Sequence, residues 1–361
     1  VARDGAGAAA ELAGEMAARS LTYKDAGVDI ELKQALVPLF QRLARSTTGA
    51  SVLEGIGGFG AIIGLDGATR MREPVLVAGA DGVGTKLKIA FATGKHDTVG
   101  IDCVAMCAND IICHNARPLF FLDYIGCGKL KREVALAIVK GIVRGCALAE
   151  MSLVGGETAQ MPGIYKTGEY DLAGFAVGIA DRRRIPDPAR MRTGDVLVGL
   201  ASDGLHSNGF SLVRKVLLER ARMRLKAHIA EIGCTLAEEL LRPTRIYARI
   251  AAELFERFPL RGLANITGGG LPENIPRVMP PNLQAVVRRG SWPVPPIFEV
   301  IARLGKISRT EMDRTFNNGV GMVAIIPPDK ADEAIRAMRR RKQRAFVIGE
   351  VRKGPAGVVF A

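Results

Sequence analysis

A chain of 361 residues exceeds the size at which a single core keeps growing, so two domains are expected, and a hydrophobic fraction of 48% is ample for both. No apolar run approaches a membrane span, and Arg3, Asp4, Glu11 and Glu15 interrupt the stretch a signal peptide would need, so a cytoplasmic protein without a membrane partner is expected. The net charge of +13 comes from scattered Lys and Arg with one cluster at Arg339 to Lys342, and with 5% aromatic residues it reads as surface charge attracting phosphorylated substrates, not as a nucleic-acid groove.

Residues 1–19, rich in Ala and Gly, read as a mobile tail. A glycine-rich segment at 55–60 precedes a strand expected at 74–80, which runs into Asp81-Gly82-Val83-Gly84-Thr85-Lys86. That edge suits phosphate and metal. Glycines let backbone N–H groups approach an anion, Lys86 supplies a charge, and Asp81 can hold a hard cation. It is not a P-loop, since Thr85-Lys86 reverse the order that motif needs; a tight turn after a buried strand is the plain alternative. A helix at 100–113 follows, with Ile101, Val104, Ala105, Ala108, Ile111 and Ile112 on its core face. Asp102, Asn109 and Asp110 fall at i, i+7 and i+8 of this apolar helix, so they must face a cation, a partner or a wet cleft. Asp102 also suits the first helical turn.

A strand at 119–125, a helix at 131–150 and strands at 152–154 and 171–180 complete the first half. Gly155-Gly156-Glu157-Thr158 repeats the pattern of strand, glycines, acid and hydroxyl, so Asp81, Asp110 and Glu157 could converge on one metal-phosphate centre. The charged, Pro-containing stretch 181–188 reads as the linker. Beyond it come a strand at 195–200, a loop with Asp203, His206, Ser207 and Asn208, helices at 209–227 and 236–257, and the Thr267 to Gly270 turn leading into 271–278. A strand at 320–326, a helix at 329–341 and a strand at 345–351 close the chain, and the mixed order argues α+β in both halves. His206 is an acid/base or phosphate-binding candidate, with a helix-capping role as the alternative. Ser207 lacks the Gly-x-Ser-x-Gly elbow of a hydrolase, and the six cysteines lack metal-knuckle spacing.

The ordered series Ser20 to Asp29, Gly57-Gly58-Phe59-Gly60, Asp81 to Lys86, Pro118 to Tyr124, Gly155 to Thr158 and Gly204 to Ser211 resembles the phosphoribosylformylglycinamidine cyclo-ligase (AIR synthetase) family. Pro243 to Tyr247, Thr267 to Gly270, Glu273 to Val278 and Thr315 to Gly321 continue the match. The resemblance implies an ATP-binding and dimerisation domain at 20–181, whose sheet pairs across a homodimer into an intersubunit β-barrel, and a larger C-terminal α+β domain at 189–361. It implies ATP and Mg²⁺, with K⁺ as a candidate second cation, and formylglycinamidine ribonucleotide as substrate. Carried over by residue, the metal ligands are Asp81, Asp110 and Glu157. The ATP-binding set is Lys24, Gly57, Gly58, Phe59, Gly60, Asp81, Gly82, Thr85, Lys86, Asn109, Gly156 and Thr158, with 57–60 as a mobile lid. His206, Ser207, Asn208, Thr267, Gly268 and Gly269 would bind substrate, and Lys86, His206 and Asn265 would be catalytic. The chain departs from the family pattern at Asn265, where histidine is usual, at Asn318, where cysteine or methionine is more usual, and at Asn115 and Arg117. A relative that phosphorylates another acceptor from the same ATP site, and a basic nucleic-acid-binding protein, stay open as alternatives.

Overall fold

The computed structural model describes residues 22–65 and 68–361; the tail expected at 1–19 and the motif residues Ser20 and Leu21 lie outside the described residues. Helix α1 (Ile30–Ala44) is capped by Asp29, whose side chain accepts the Leu32 N–H. A short hairpin of β1 (Val52–Glu54) and β2 (Ile62–Ile63) carries the Gly57 to Gly60 strap, where Phe59 is fully exposed. Next come β3 (Pro74–Gly82), α2 (Leu87–Thr93), α3 (Val99–Ile112), β4 (Arg117–Cys127), α4 (Arg132–Ala149), β5 (Ser152–Gln160) and β6 (Tyr170–Asp181). Their strands form a mixed sheet in the order β3-β6-β4-β5. The β4 and β5 pair is parallel, as a helical crossover allows, and the other pairs are antiparallel.

Helices α3 and α4 lie against one another through glycines. A Cβ on Gly141 would stand 2.5 Å from the Asp97 carbonyl oxygen, one on Gly145 would stand 2.8 Å from Val104 Cβ, and one on Gly100 would strike the Ile138 carbonyl. Gly174 in β6 makes room in the same way for Phe121 and Cys103. The opposite sheet face is open: Leu76 is 62% and Phe175 45% exposed, and Ala80, Phe175 and Leu122 stand in one row across three strands.

Turns at Arg182–Arg184 and Pro188–Arg190 lead to β7 (Val196–Ala201), α5 (Phe210–Arg214), β8 (His228–Ile229), β9 (Cys234–Thr235), α6 (Leu236–Leu240), α7 (Ala248–Arg257) and β10 (Gly262–Asn265). Then follow α8 (Gly270–Asn274), β11 (Leu283–Val287), α9 (Pro296–Gly305), α10 (Arg309–Thr315), β12 (Val320–Ile326), α11 (Pro328–Arg340), β13 (Ala345–Lys353) and β14 (Val358–Phe360). The second sheet has the order β10-β12-β7-β13-β11-β14, and β12 is buried at every position. The architecture is α+β with mixed sheets. One apolar core runs unbroken from α3 and α4 into β7, α5 and α7, so the halves share an interior. No helix among the described residues is long and apolar enough to cross a membrane.

Three expectations change. The helix expected at 236–257 is divided into α6 and α7, because Pro243 has no N–H to donate and side chains of the first half bind the backbone of 244–247. The helix expected at 209–227 stops early: α5 widens into a π-helical turn at Lys215–Arg220, and Arg222 takes a left-handed φ of 50°. β5 runs on to Gln160, which places Gly155 to Thr158 within a strand. Helices α1, α2, α9 and α10 and strands β1, β2, β8, β9, β10, β11 and β14 are not among the expected elements.

Gly100→Ala should overpack the α3–α4 contact and cost about 1–3 kcal/mol, read as a lower urea midpoint. An unchanged midpoint would mean the helices are free to separate.

Candidate functional site

The site forms where the two halves meet, around a charge that has no access to water. Lys86 is 0% exposed. Its Nζ donates to Asp102 Oδ1 at 2.9 Å and to the carbonyl oxygens of His206 at 3.0 Å and Arg242 at 2.7 Å. Asp102 Oδ1 also accepts the Thr244 backbone N–H and the Thr244 hydroxyl, both at 2.7 Å. Burial holds the Lys86 ammonium below its ordinary pKa, and the Asp102 charge opposes that shift. Asn109, two turns along α3, donates to the Arg245 carbonyl at 2.8 Å and accepts the Tyr247 N–H at 3.0 Å. Lys86 and Asn109, expected to bind phosphate, are therefore buried and engaged in holding segments 206–208 and 242–247.

His206 sits in this junction with a left-handed φ of 61°. Its Nε2 accepts the Asp203 N–H at 3.2 Å, so the ring proton belongs on Nδ1. Burial, and then the charges of Lys86 and Arg245, push its pKa down to about 3. The ring is thus a neutral acceptor that shapes its loop, where an acid/base or phosphate-binding group was expected. Gly321 leaves the space: a Cβ there would strike the Tyr247 hydroxyl and the His206 ring. Ser207 Oγ lies 3.1 Å from Thr244 Oγ1, and the Asn208 amide nitrogen lies beside Gly268. The Thr267 to Gly270 turn is tied by Asn274, whose Nδ2 donates to the carbonyls of Gly268 at 3.1 Å and Gly270 at 2.9 Å.

Asp81 stands at the end of β3 and Asp110 near the end of α3. Burial raises the Asp81 pKa, the Gly82 N–H on its Oδ1 opposes the rise, and the Asp110 charge adds to it. Asp110 Oδ1 accepts from Asn265 Nδ2 at 2.9 Å. A cleft of about 320 Å³ opens here between the halves, lined by Asp110, His114, Asn265, Asn274 and Arg277. Thr85 is exposed, 3.0 Å from Ser211 Oγ.

The remaining expected residues gather at the other edge of the first sheet. The strap lies over β5, above cavities of about 260 and 430 Å³ that both include Gly57, Gly58, Gly156 and Asp123; Thr158 lines the smaller, and Phe59, Gly60 and Glu157 line the larger. Glu157 Oε1 pairs with Lys33 Nζ at 2.6 Å. Burial pushes the Asp123 carboxyl up to about 7, with the Glu157 charge contributing. Lys24 is exposed and pairs with Asp29 at 3.0 Å. The three acids expected at one centre are thus divided within the chain, because strand order sets Glu157 on β5 and Asp81 on β3. Among the described residues no group of three or more His, Cys, Asp or Glu is arranged to hold a metal. A further cavity of about 450 Å³ beside His96 and Tyr170 is lined by none of the expected residues.

Sequence reasoning did not single out Lys33, Asp123, Asn274 or Arg277. Asp123, Asn274 and Arg277 lie inside the segments that carry the resemblance, but no spacing rule marks them. The six cysteines are free, and burial raises the thiol pKa of Cys107 and Cys113 to about 12, which makes them poor nucleophiles.

A family model described as AIR synthase related protein, N-terminal domain, matches residues 64–180, and the corresponding C-terminal domain model matches 192–361. The chain is 53% identical over 339 residues to the phosphoribosylformylglycinamidine cyclo-ligase of Pseudothermotoga lettingae, covering 94% of this chain and 99% of the relative. It is 52% identical to the protein of the same name from Syntrophotalea carbinolica, covering 93% and 95%. Among solved structures, thiamine-monophosphate kinase from Stenotrophomonas maltophilia aligns with a TM-score of 0.66 at 18% identity, over 90% and 95% of the chains. Hydrogenase maturation protein HypE in complex with ATP aligns at 0.63 and 16%, over 91% and 90%. These two likenesses show the fold.

Lys86→Met leaves Asp102 buried without its cation and should cost about 3–5 kcal/mol, measured by chemical unfolding. His206 supplies a pH dependence. Its folded pKa lies below the ordinary 6.5, so its contribution to stability is intact above that value and is lost as pH falls towards about 3. Between pH 7 and pH 5 the protein should lose about 2 kcal/mol through this group. The variant His206→Asn should show a correspondingly flatter profile.

Proposed function

The chain belongs to the phosphoribosylformylglycinamidine cyclo-ligase family of AIR synthase related proteins, an enzyme family of ligases, and from that membership we propose the reaction it performs. It closes formylglycinamidine ribonucleotide to 5-aminoimidazole ribonucleotide with ATP, releasing ADP and phosphate, in cytoplasmic purine biosynthesis. The observation that carries this reading is the interdomain cleft, where Asp110 of one half bonds Asn265 of the other and where Asn274, which ties the 267–270 turn, also lines the wall.

A formamide oxygen is a poor leaving group, so it is first phosphorylated; the amidine nitrogen then attacks the activated carbon and phosphate departs. Phosphoryl transfer needs positioning and charge compensation, and no covalent protein nucleophile. Asp81 and Asp110 fit a divalent cation, since burial and then the Asp110 charge raise the Asp81 pKa and neither carboxylate has an ion-pair partner among the described residues. Mg²⁺ held there would neutralise phosphate charge. Lys86 and Asn109 then act by fixing the loops that meet the substrate. Asn265 orients Asp110 through its amide and cannot shuttle a proton. The strap, with Gly156 and Thr158 beneath it, serves as the nucleotide lid. Residues 20–181 form the ATP-binding and dimerisation domain and 189–361 the second domain. The open face at Leu76 and Phe175 supports a homodimer closed as an intersubunit β-barrel.

Purified protein with Mg-ATP should release ADP only when formylglycinamidine ribonucleotide is present, with matching aminoimidazole product by colorimetric assay. ATP turnover without that product would move the reading to another acceptor. Asp110→Asn should lower kcat by about 10²-fold or more. Light scattering should give the mass of two chains, and Phe175→Glu should shift it to one.

A further inference from the structure

The interdomain cleft contains a guanidinium that pairs with no carboxylate among the described residues. Arg277 lies on the turn Ile275–Val278 that continues α8, and it lines the cleft that Asp110 also lines. Several arginines of the second half are paired, among them Arg242 with Glu239 at 2.7 Å, Arg245 with Asp203 at 3.4 Å, and Arg289 with Asp313 at 2.7 Å, but none of these three lines the cleft. Glu273 is four residues before Arg277, the spacing of a helical ion pair, but its Oε1 is taken by Arg314 Nη2 at 3.0 Å. Arg277 has no carboxylate partner among the described residues, yet it is anchored. Its Nη1 donates to Asn274 Oδ1 at 3.2 Å, and Asn274 is the side chain that ties the Thr267 to Gly270 turn.

We propose that Arg277, positioned by Asn274, binds the phosphomonoester of the sugar-phosphate substrate and so directs the reacting end of that substrate towards Asp110. This rests on the cyclo-ligase reading and adds to it the group that holds the substrate phosphate. A phosphomonoester dianion matches the paired N–H donors of a guanidinium.

Steady-state kinetics of the unaltered protein, Arg277→Ala and Arg277→Lys test the assignment, with KM measured separately for formylglycinamidine ribonucleotide, for its dephosphorylated nucleoside and for ATP. Arg277 is exposed, so the substitutions leave the core intact, and equal melting temperatures would confirm it. Arg277→Ala should raise the ribonucleotide KM about 10–100-fold with little change in kcat or in the ATP KM, and Arg277→Lys should recover part of the loss. The unaltered protein should prefer the ribonucleotide to the nucleoside, and Arg277→Ala should not. An unchanged preference, or a loss confined to the ATP KM, overturns the proposal. Absence of substrate-dependent ADP release by the unaltered protein would count against the cyclo-ligase reading instead. Calorimetric titration with ribose 5-phosphate would then decide: binding lost in Arg277→Ala supports the site, and equal binding overturns it.

Discussion

An ammonium buried away from water must find its compensation inside the protein, and the Lys86–Asp102 pair is where this chain meets that demand. The two charges lie in the first half, and further hydrogen bonds come from the second: the carbonyls of His206 and Arg242 accept from Lys86, and the N–H and hydroxyl of Thr244 donate to Asp102 Oδ1, while Oδ2 keeps only its ion pair with Lys86. Desolvating two charges costs several kcal/mol, which only near-complete pairing offsets. The second half must therefore dock with these backbone groups in place. Docking in turn sets the His206 to Asn208 loop beside Gly268.

Polar groups at the seam divide into those that hold and those that face the cleft. Asn109, His206 and Tyr247 are buried and spend their donors and acceptors on backbone: Asn109 on Arg245 and Tyr247, His206 on Asp203, and the Tyr247 hydroxyl on Ala201. Asp110, Asn265 and Arg277 line the cleft instead. Neither half carries a complete site, because the acids come from β3 and α3 while Asn265 and Arg277 come from β10 and the turn after α8.

Much of the fold was legible because burial imposes a period on the sequence. Strands at 74–80, 320–326 and 345–351 and the helix at 100–113 fall where alternation or helical spacing placed them. The helix expected at 236–257 failed for a reason no window of that sequence contains, since Asn109, more than a hundred residues away, takes the backbone of Arg245 and Tyr247. The motif residues were visible as residue types, and Asp102 was expected to need a cation or a partner. That Lys86 would be the cation and face inward was not visible, because orientation is decided by the docked second half. His206 shows the same limit. Its ring chemistry is local, but burial sets its pKa. Arg277 was hidden because its significance lies in the diversion of Glu273 to Arg314, which is a tertiary fact.

The junction reads its two sides in different ways. On the first half it depends on what the side chains are, since only a cation, a carboxylate and an amide at positions 86, 102 and 109 can make these bonds. On the second half it takes hold mostly of main chain: the carbonyls of 206, 242 and 245 and the N–H groups of 244 and 247. Every residue type but proline offers both groups, so inheritance at this seam is lopsided. The first half must preserve letters, and the second need preserve little more than the path its backbone takes.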